Sequence, residues 1–263
     1  MATYLDRILA AHRSVAAADS RDGAALRRAA LSVAPTRGFR SALCASRSNG
    51  EPIAVIAEVK RRSPSKGDLF SSLDPSILAQ QYESGGATCM SVLTDSDFFG
   101  GSVADLQAAR EACTMPVLRK DFTVCANDVF DARLMGADCV LLIAAALTPD
   151  ELKHLHGTAS EVGLDVLVEV HDEKELDVGL GVGADLIGVN QRDLVTFAVD
   201  HERAIRMGGH MPADVVAVAE SGVRGVADAT ALHEAGYTAV LVGETLVTSG
   251  DPQKAVANLR GRG

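Results

Sequence analysis

The sequence predicts an α/β fold, a (β/α)8 TIM barrel preceded by an N-terminal helical extension, and three observations carry that prediction. Apolar, strand-like runs begin near Ile53, Thr88, Pro116, Cys139, Asp165, Leu186, Val215 and Ala239, a spacing that holds a strand, a helix and two loops each time. Gly86, Gly136, Gly163, Gly183 and Gly236 each stand shortly before a run, where the glycine that ends the preceding helix belongs. The first turn reads RRSPSKG, unlike the Gly-rich first turn of an open doubly wound sheet, and an eightfold repeat suits a closed barrel better than that sheet.

The elements follow in order. Leu5, Ile8, Leu9 and His12 recur at three- and four-residue steps and predict an amphipathic helix. A second helix is expected over Ala24–Ala34, ended by Pro35, and a third short turn around Phe39 and Leu43 leads to the Asn49-Gly50 break. This region carries no strand signal. The chain is therefore expected to form a single domain over residues 1–263, with a helical extension over 1–50 and the barrel over 51–263. Between the strands, Asp74-Pro75 reads as an N-cap followed by proline at the first helical position. Thr148-Pro149-Asp150-Glu151 reads as a capping box.

The run Ile53–Ala57 shows no apolar/polar alternation, as expected of a strand buried on both faces. It passes straight into Glu58-Val59-Lys60. Residues two apart on a strand share a side, so Glu58 and Lys60 point the same way. A carboxylate and an ammonium there are costly unless paired, so they need a reason to be present.

Barrel active sites lie at the C-terminal ends of the strands. Those ends here read Glu58 and Lys60, Thr94-Asp95, Arg119-Lys120-Asp121, the featureless Ala144-Ala145-Ala146, Glu169 and His171, Asn190 and Arg192, Glu220-Ser221-Gly222, and Gly243-Glu244-Thr245. One such residue is ordinarily a solvated rim residue; their convergence on one mouth is the signal. His171 reads as a rim residue outside the site, and His154 and His156 as solvated helix surface. The mixture suggests proton transfer on an anion: Lys60 and Lys120 as acids whose pKa burial and mutual repulsion lower, with Glu58, Glu169 and Glu220 as bases or partners. No Ser/His/Asp set points to a covalent nucleophile, and no His/Asp cluster points to a metal. Ser221-Gly222 and Gly243-Glu244 suit the phosphate-binding loops that barrels place after the seventh and eighth strands, and Arg62, Ser63, Ser65 and Lys66 add donors from the first loop.

Composition sets outer bounds. Net charge is −10 with 47% hydrophobic and 23% charged residues, which fits a globular chain and argues against a general nucleic-acid or anionic-membrane binder. The five cysteines show no C-x-x-C spacing and are expected as free thiols in a reducing compartment. The start MATYLDRILAAHRS lacks a signal-peptide core and no run approaches the ~20 apolar residues of a membrane span, so a cytoplasmic protein is expected. Oligomeric state is not readable from the sequence, which is compatible with a monomer.

EVKRRSPSKG (58–67), SVLTDSDFFGGS (91–102), PVLRKDF (116–122), ADCVLLI (137–143), LVEVHDEKEL (167–176), GVNQRDL (188–194), VAESGVR (218–224) and AVLVGETLV (239–247) together resemble the indole-3-glycerol-phosphate synthase family of tryptophan biosynthesis. The resemblance runs from about Phe39 to Leu259, and each motif falls at its expected strand end. It implies ring closure, decarboxylation and dehydration of 1-(2-carboxyphenylamino)-1-deoxyribulose 5-phosphate to indole-3-glycerol phosphate, with no cofactor and no metal. It further implies Lys120 as the general acid of ring closure, Glu169 and Lys60 in later proton transfers, and Glu58 as the partner of Lys60. Asn190, Glu220 and Ser221 orient the reacting part of the substrate. Ser63, Gly222, Gly243 and Glu244 meet the phosphate, while Arg192 and Phe99 flank the sugar phosphate or aryl ring. Cys125-Ala126-Asn127-Asp128 departs from the family's usual Pro-Tyr-Gln-like turn, which puts the loop after Lys120 in question. Gly179 and Gly181, if helical, weaken their helix by roughly 1 kcal/mol each. These departures leave open a specialised or non-catalytic paralogue that only binds a phosphorylated ligand.

Overall fold

The structure, a computed structural model, describes residues 3–49, 53–63, 66–70, 72–193 and 195–261. Gly50, Pro64 and Ser65, singled out above, lie outside the described residues. Strands β1 (Ala54–Val59), β2 (Cys89–Leu93), β3 (Val117–Lys120), β4 (Cys139–Ile143), β5 (Asp165–Val170), β6 (Leu186–Asn190), β7 (Val216–Glu220) and β8 (Ala239–Val242) pair in parallel in chain order. The ring closes where Ala54 to Ala57 of β1 lie against Ala239 to Val242 of β8. The expected eight-stranded barrel is the observed one.

Helices α1 (Tyr4–Ala18), α2 (Gly23–Ser32) and α3 (Phe39–Ser48) precede the barrel. Around it run α4 (Pro75–Ser84), α5 (Val103–Glu111), α6 (Ala126–Leu134), α7 (Pro149–Glu161), α8 (Glu173–Gly181), α9 (Arg203–Gly208), α10 (Val226–Glu234), α11 (Glu244–Val247) and α12 (Pro252–Leu259). Asp74 caps α4 through the Ser76 and Ile77 amides, and Thr148 and Glu151 form the expected capping box of α7. Gly86 and Gly136 end their helices at φ 88° and 97°, a left-handed turn that a Cβ would strain, and Gly163, Gly183 and Gly236 do the same. The loop after β1 adds an element that the sequence did not suggest, a small hairpin of Arg62–Ser63 against Gly67–Asp68.

Alternation along each strand divides the core. Val55, Ala57 and Val59 of β1 face the surrounding helices, whereas Ala54 and Ile56 face the barrel interior with Cys89, Leu118, Leu141, Leu167, Val218 and Leu241. The segment expected as a short turn is a full helix, α3, because its apolar side chains have somewhere to go. Phe39 and Leu43 join the interior cluster from below, and the Arg37 and Arg40 amides donate to Asp138 and Asp165 at the starts of β4 and β5. Leu43 is fully buried, so Leu43→Ala should cost about 2–5 kcal/mol of unfolding free energy in a denaturant titration. A loss well under 1 kcal/mol would mean that α3 does not seal the barrel.

The two departures from the family pattern are accommodated. The Asp128 carboxylate accepts the Val124 and Cys125 amides at 2.9 and 3.1 Å and so organises the start of α6 without the usual turn. Gly179 and Gly181 both lie within α8. A Cβ on Gly179 would press on Val168 Cγ1 at 3.3 Å, so its smallness lets α8 lie close on the sheet. All five cysteines are free; Cys89, Cys113 and Cys139 are buried, and burial pushes each thiol up. No helix among the described residues is long and apolar enough to cross a membrane.

Candidate active site

The interior positions change character toward the C-terminal ends of the strands. On β1 the inward series Ala54, Ile56 continues to Glu58; on β3 Leu118 is followed by Lys120, on β5 Leu167 by Glu169, and on β7 Val218 by Glu220. These side chains open into a cavity of about 380 Å3 at the C-terminal mouth of the barrel. The structure brings Glu58, Lys60, Ser63, Lys66, Phe99, Lys120, Glu169, Asn190, Arg192, Glu220, Ser221, Gly222, Gly243 and Glu244 to its wall, whereas Arg62, expected as a donor from the first loop, does not line it and donates instead to the Asp97 carbonyl.

Two ion-paired groups form its floor. The Lys120 ammonium donates to Glu169 Oε2 at 2.8 Å and to Glu220 Oε2 at 2.6 Å. The Lys60 ammonium pairs with Glu58 Oε1, and the Tyr82 hydroxyl donates to the Glu58 backbone carbonyl at 3.0 Å. Glu58, Glu169 and Glu220 are at most 3% exposed, so each charge depends on its partner. Asn190 Nδ2 donates to Glu169 Oε1 at 3.1 Å, while Glu220 Oε1 is buried with no hydrogen-bond partner.

The electrostatics correct one expectation. Burial does act to lower the Lys120 pKa, but Glu169, Glu220 and Glu58 outweigh it, so Lys120 is raised well above an ordinary lysine. The two carboxylates that share this ammonium diverge. Burial pushes Glu220 upward, reinforced by the negative charge of Glu169. Glu169 is also desolvated but is held below the ordinary range by Lys120, His171 and Asn190. Glu220, with one unpaired oxygen, is thus the more readily protonated of the two.

Glycines leave room for these groups. A Cβ on Gly188 would land on Glu220 Oε1, and one on Gly243 would land on Glu58 Oε1. Gly188→Ala should therefore fold, because a carboxylate can swing aside, but it displaces Glu220 from Lys120. A misplacement of that order costs about 10²-fold in rate; we expect such a fall in kcat, with a lowered thermal transition because the buried Lys120–Glu220 pair is weakened. A variant with native kcat would show that Glu220 need not sit where it does.

The loops supply the rim. Ser221 and Gly222 are both left-handed, at φ 64° and 74°, and Gln191 Nε2 donates to the Ser221 carbonyl at 2.7 Å. A serine held in that conformation costs of order 1–3 kcal/mol, the kind of strain that gathers at functional sites. The Ser63 hydroxyl is buried and accepts the Lys66 amide at 3.2 Å. Arg192 donates to the Phe197 carbonyl at 3.1 Å.

Sequence reasoning missed several neighbours. Phe122, Phe197, His201 and Arg224 also line the cavity; of these Phe122 had a local signal, being two residues beyond Lys120. His12 of α1 reaches Asp95 Oδ2 at 2.9 Å and lies 3.9 Å from Asp121 Oδ1. Asp95 Oδ1 accepts the Phe98 and Phe99 amides, so α1 helps hold an aromatic wall of the cavity. Tyr4 adds edge contacts to Phe98 and Phe197 at 5.8 and 5.2 Å. A His/Asp cluster within metal-ligand reach therefore does form among the described residues, where none was expected. Its carboxylates are occupied by protein donors, including Arg119 and Thr94 on Asp121, and it serves as a clasp. His171, set aside as a rim residue, comes within 3.6 Å of Glu169. His154 is exposed, as expected, but His156, expected as solvated surface with it, is half-buried.

Comparison with known proteins agrees with this geometry. The family model of indole-3-glycerol phosphate synthase matches residues 5–259. A protein named indole-3-glycerol phosphate synthase from Nocardioides sp. (strain ATCC BAA-499 / JS614) is 52% identical over 208 residues, covering 79% of this chain and 80% of that protein. Among solved structures, tryptophan synthase subunit alpha from Legionella pneumophila aligns with TM-score 0.63 at 13% identity, over 87% of this chain and 98% of its own. Thiamine phosphate pyrophosphorylase from Pyrococcus furiosus aligns with TM-score 0.60 at 16% identity, over 80% and 95%. At such identities these two likenesses speak to the barrel alone.

Proposed function

The chain belongs to the indole-3-glycerol phosphate synthase family and carries that activity, and from this premise we propose how its cavity performs the reaction and which residues do so. The class is a carbon–carbon lyase that releases CO2, acting on 1-(2-carboxyphenylamino)-1-deoxyribulose 5-phosphate, with the whole chain working as one domain. The observation that carries the assignment is the Lys120 ammonium held between Glu169 and Glu220, with the Glu58–Lys60 pair in the same cavity.

In ring closure the aryl carbon that bears the carboxylate attacks the ketone, and the carbonyl oxygen becomes a hydroxyl. Lys120 supplies that proton. Its raised pKa suits the task, because it stays charged until a developing alkoxide, a far stronger base than either carboxylate, draws the proton away. Glu220 can then return a proton to Lys120. Loss of CO2 leaves its bonding electrons in the ring system. In the last step the new hydroxyl leaves as water with a proton from an acid, a role we assign to Lys60, while Glu169 takes the proton whose loss completes the indole.

Asn190 keeps Glu169 oriented, and Ser221 positions the reacting end of the substrate. The phosphate is assigned to the rim formed by Ser63, Gly222, Gly243 and the Glu244 amide, with Arg192 and Phe99 flanking the substrate. The protein as a whole is acidic, at −10, but Lys60, Lys66, Lys120 and Arg192 line this cleft, where low-dielectric walls focus their field on an anionic substrate.

The test is to mix purified protein with the substrate and follow indole fluorescence. Multiple turnovers are expected. Binding of the phosphorylated substrate with no fluorescence rise at micromolar protein would return the chain to a binding-only role.

A further inference from the structure

We propose that His171 is a positioning residue for Glu169, held as an imidazolium between Glu175 and Glu169 so that it fixes and keeps ionised the carboxylate that serves as base. The inference rests on the reading of Glu169 as that base. His171 follows β5 directly, two residues beyond Glu169, so strand alternation keeps the two side chains on one side. Glu175, near the start of α8, anchors it twice: its Oε2 accepts the His171 amide at 2.8 Å and lies 3.0 Å from the ring Nδ1. Nε2 is then left buried, without a hydrogen-bond partner, 3.6 Å from Glu169 Oε1.

Tautomer arithmetic identifies the protonation state. A carboxylate only accepts, so Nδ1 must carry a hydrogen to bond Glu175. A neutral ring would then aim the bare lone pair of Nε2 at a carboxylate oxygen, which repels it. With Nε2 also protonated, the ring presents a charge-assisted donor to Glu169, as second partners of functional side chains do. The surrounding charges act in the same sense. Burial works against the cation, but Glu175 and Glu169 more than compensate and raise His171, with Arg203 opposing them. Lys120 lies on the far side of Glu169 and holds Oε2, while His171 and Asn190 share Oε1. Both oxygens of the base thereby have a positively polarised neighbour, with acceptor capacity left over for a substrate proton.

The sign of the pH effect follows. A raised His171 stays charged to higher pH than an ordinary histidine and loses its hold on Glu169 as pH rises through its own pKa. Removing that cation should also let Glu169 take up a proton at higher pH than in the native protein. The experiment is a pH profile of kcat and KM for His171→Asn, Glu175→Gln and Glu169→Gln alongside the native protein, with thermal transitions as a check on folding. His171→Asn should lower kcat about 10-fold or more by loosening the base, leave KM nearly unchanged, and move the acid limb upward. Glu175→Gln, at a half-buried site away from the substrate, should move the alkaline fall of kcat to lower pH, and it decides the matter should His171→Asn fail to fold. Native profiles in both His171→Asn and Glu175→Gln, with Glu169→Gln inactive, would overturn the role of His171 alone. Full activity in Glu169→Gln would overturn the assignment of the base and this inference with it.

Discussion

Lys120→Met should lose turnover by ~10²–10⁴-fold, the contribution expected of a positioned general acid, while a phosphorylated substrate analogue binds almost as in the native protein. Methionine is close to lysine in length and flexibility but has no proton to give. The ammonium also neutralises two buried carboxylates at 2.8 and 2.6 Å, and removing one partner of such a set costs about 3–5 kcal/mol when the charges stay unpaired. Glu220, already pushed upward by burial, softens that cost by taking up a proton. The variant should therefore fold with reduced stability. Rates are to be compared well below its melting temperature, and analogue affinity separates lost chemistry from lost structure. A rate near native would remove Lys120 from the acid role.

Glu169→Gln is expected to have an effect of similar size for a different reason. The shape is retained, but an amide cannot accept the proton that leaves during dehydration, and general-base catalysis of this kind is also worth ~10²–10⁴-fold. The surroundings compound the loss. Lys120 donates to Oε2 and Asn190 to Oε1, so whichever way the amide turns, its NH2 meets a donor and leaves buried groups mismatched. Steady-state kinetics should show kcat falling with KM little changed, since the residue acts on the reacting atoms and not on the phosphate. A fall in affinity with kcat preserved would instead make Glu169 a binding residue.

Much of this architecture was legible in the chain because its signals are local. A glycine just past a helix adopts a left-handed turn wherever the helix packs, and the five glycines identified do so. The end of a buried strand is visible as an apolar run that stops at a charge, so the sequence alone assigns Glu58, Lys120, Glu169 and Glu220 to one mouth. Strand alternation alone put Lys60 beside Glu58. What escaped depends on distance across the fold. His12 and Asp95 are 83 residues apart, and nothing near either announces the pairing. The direction of the Lys120 shift is decided by two carboxylates 49 and 100 residues away, so burial alone gave the wrong sign. His171 was set aside because its significance lies in one nitrogen aimed at Glu169, a matter of ring orientation imposed by Glu175. The hairpin after β1 is two residues per strand, too short to leave a pattern.

The central claim is that Lys120 acts at ring closure and Glu169 later, at dehydration. Decarboxylation lies between those steps, so the most direct measurement is single-turnover release of CO2 against appearance of indole fluorescence, with enzyme in excess of substrate. Lys120→Met should release neither product at an appreciable rate, whereas Glu169→Gln should release CO2 ahead of a delayed indole signal. CO2 release at the native rate from Lys120→Met, or loss of CO2 and indole in equal measure from Glu169→Gln, would contradict that division of labour.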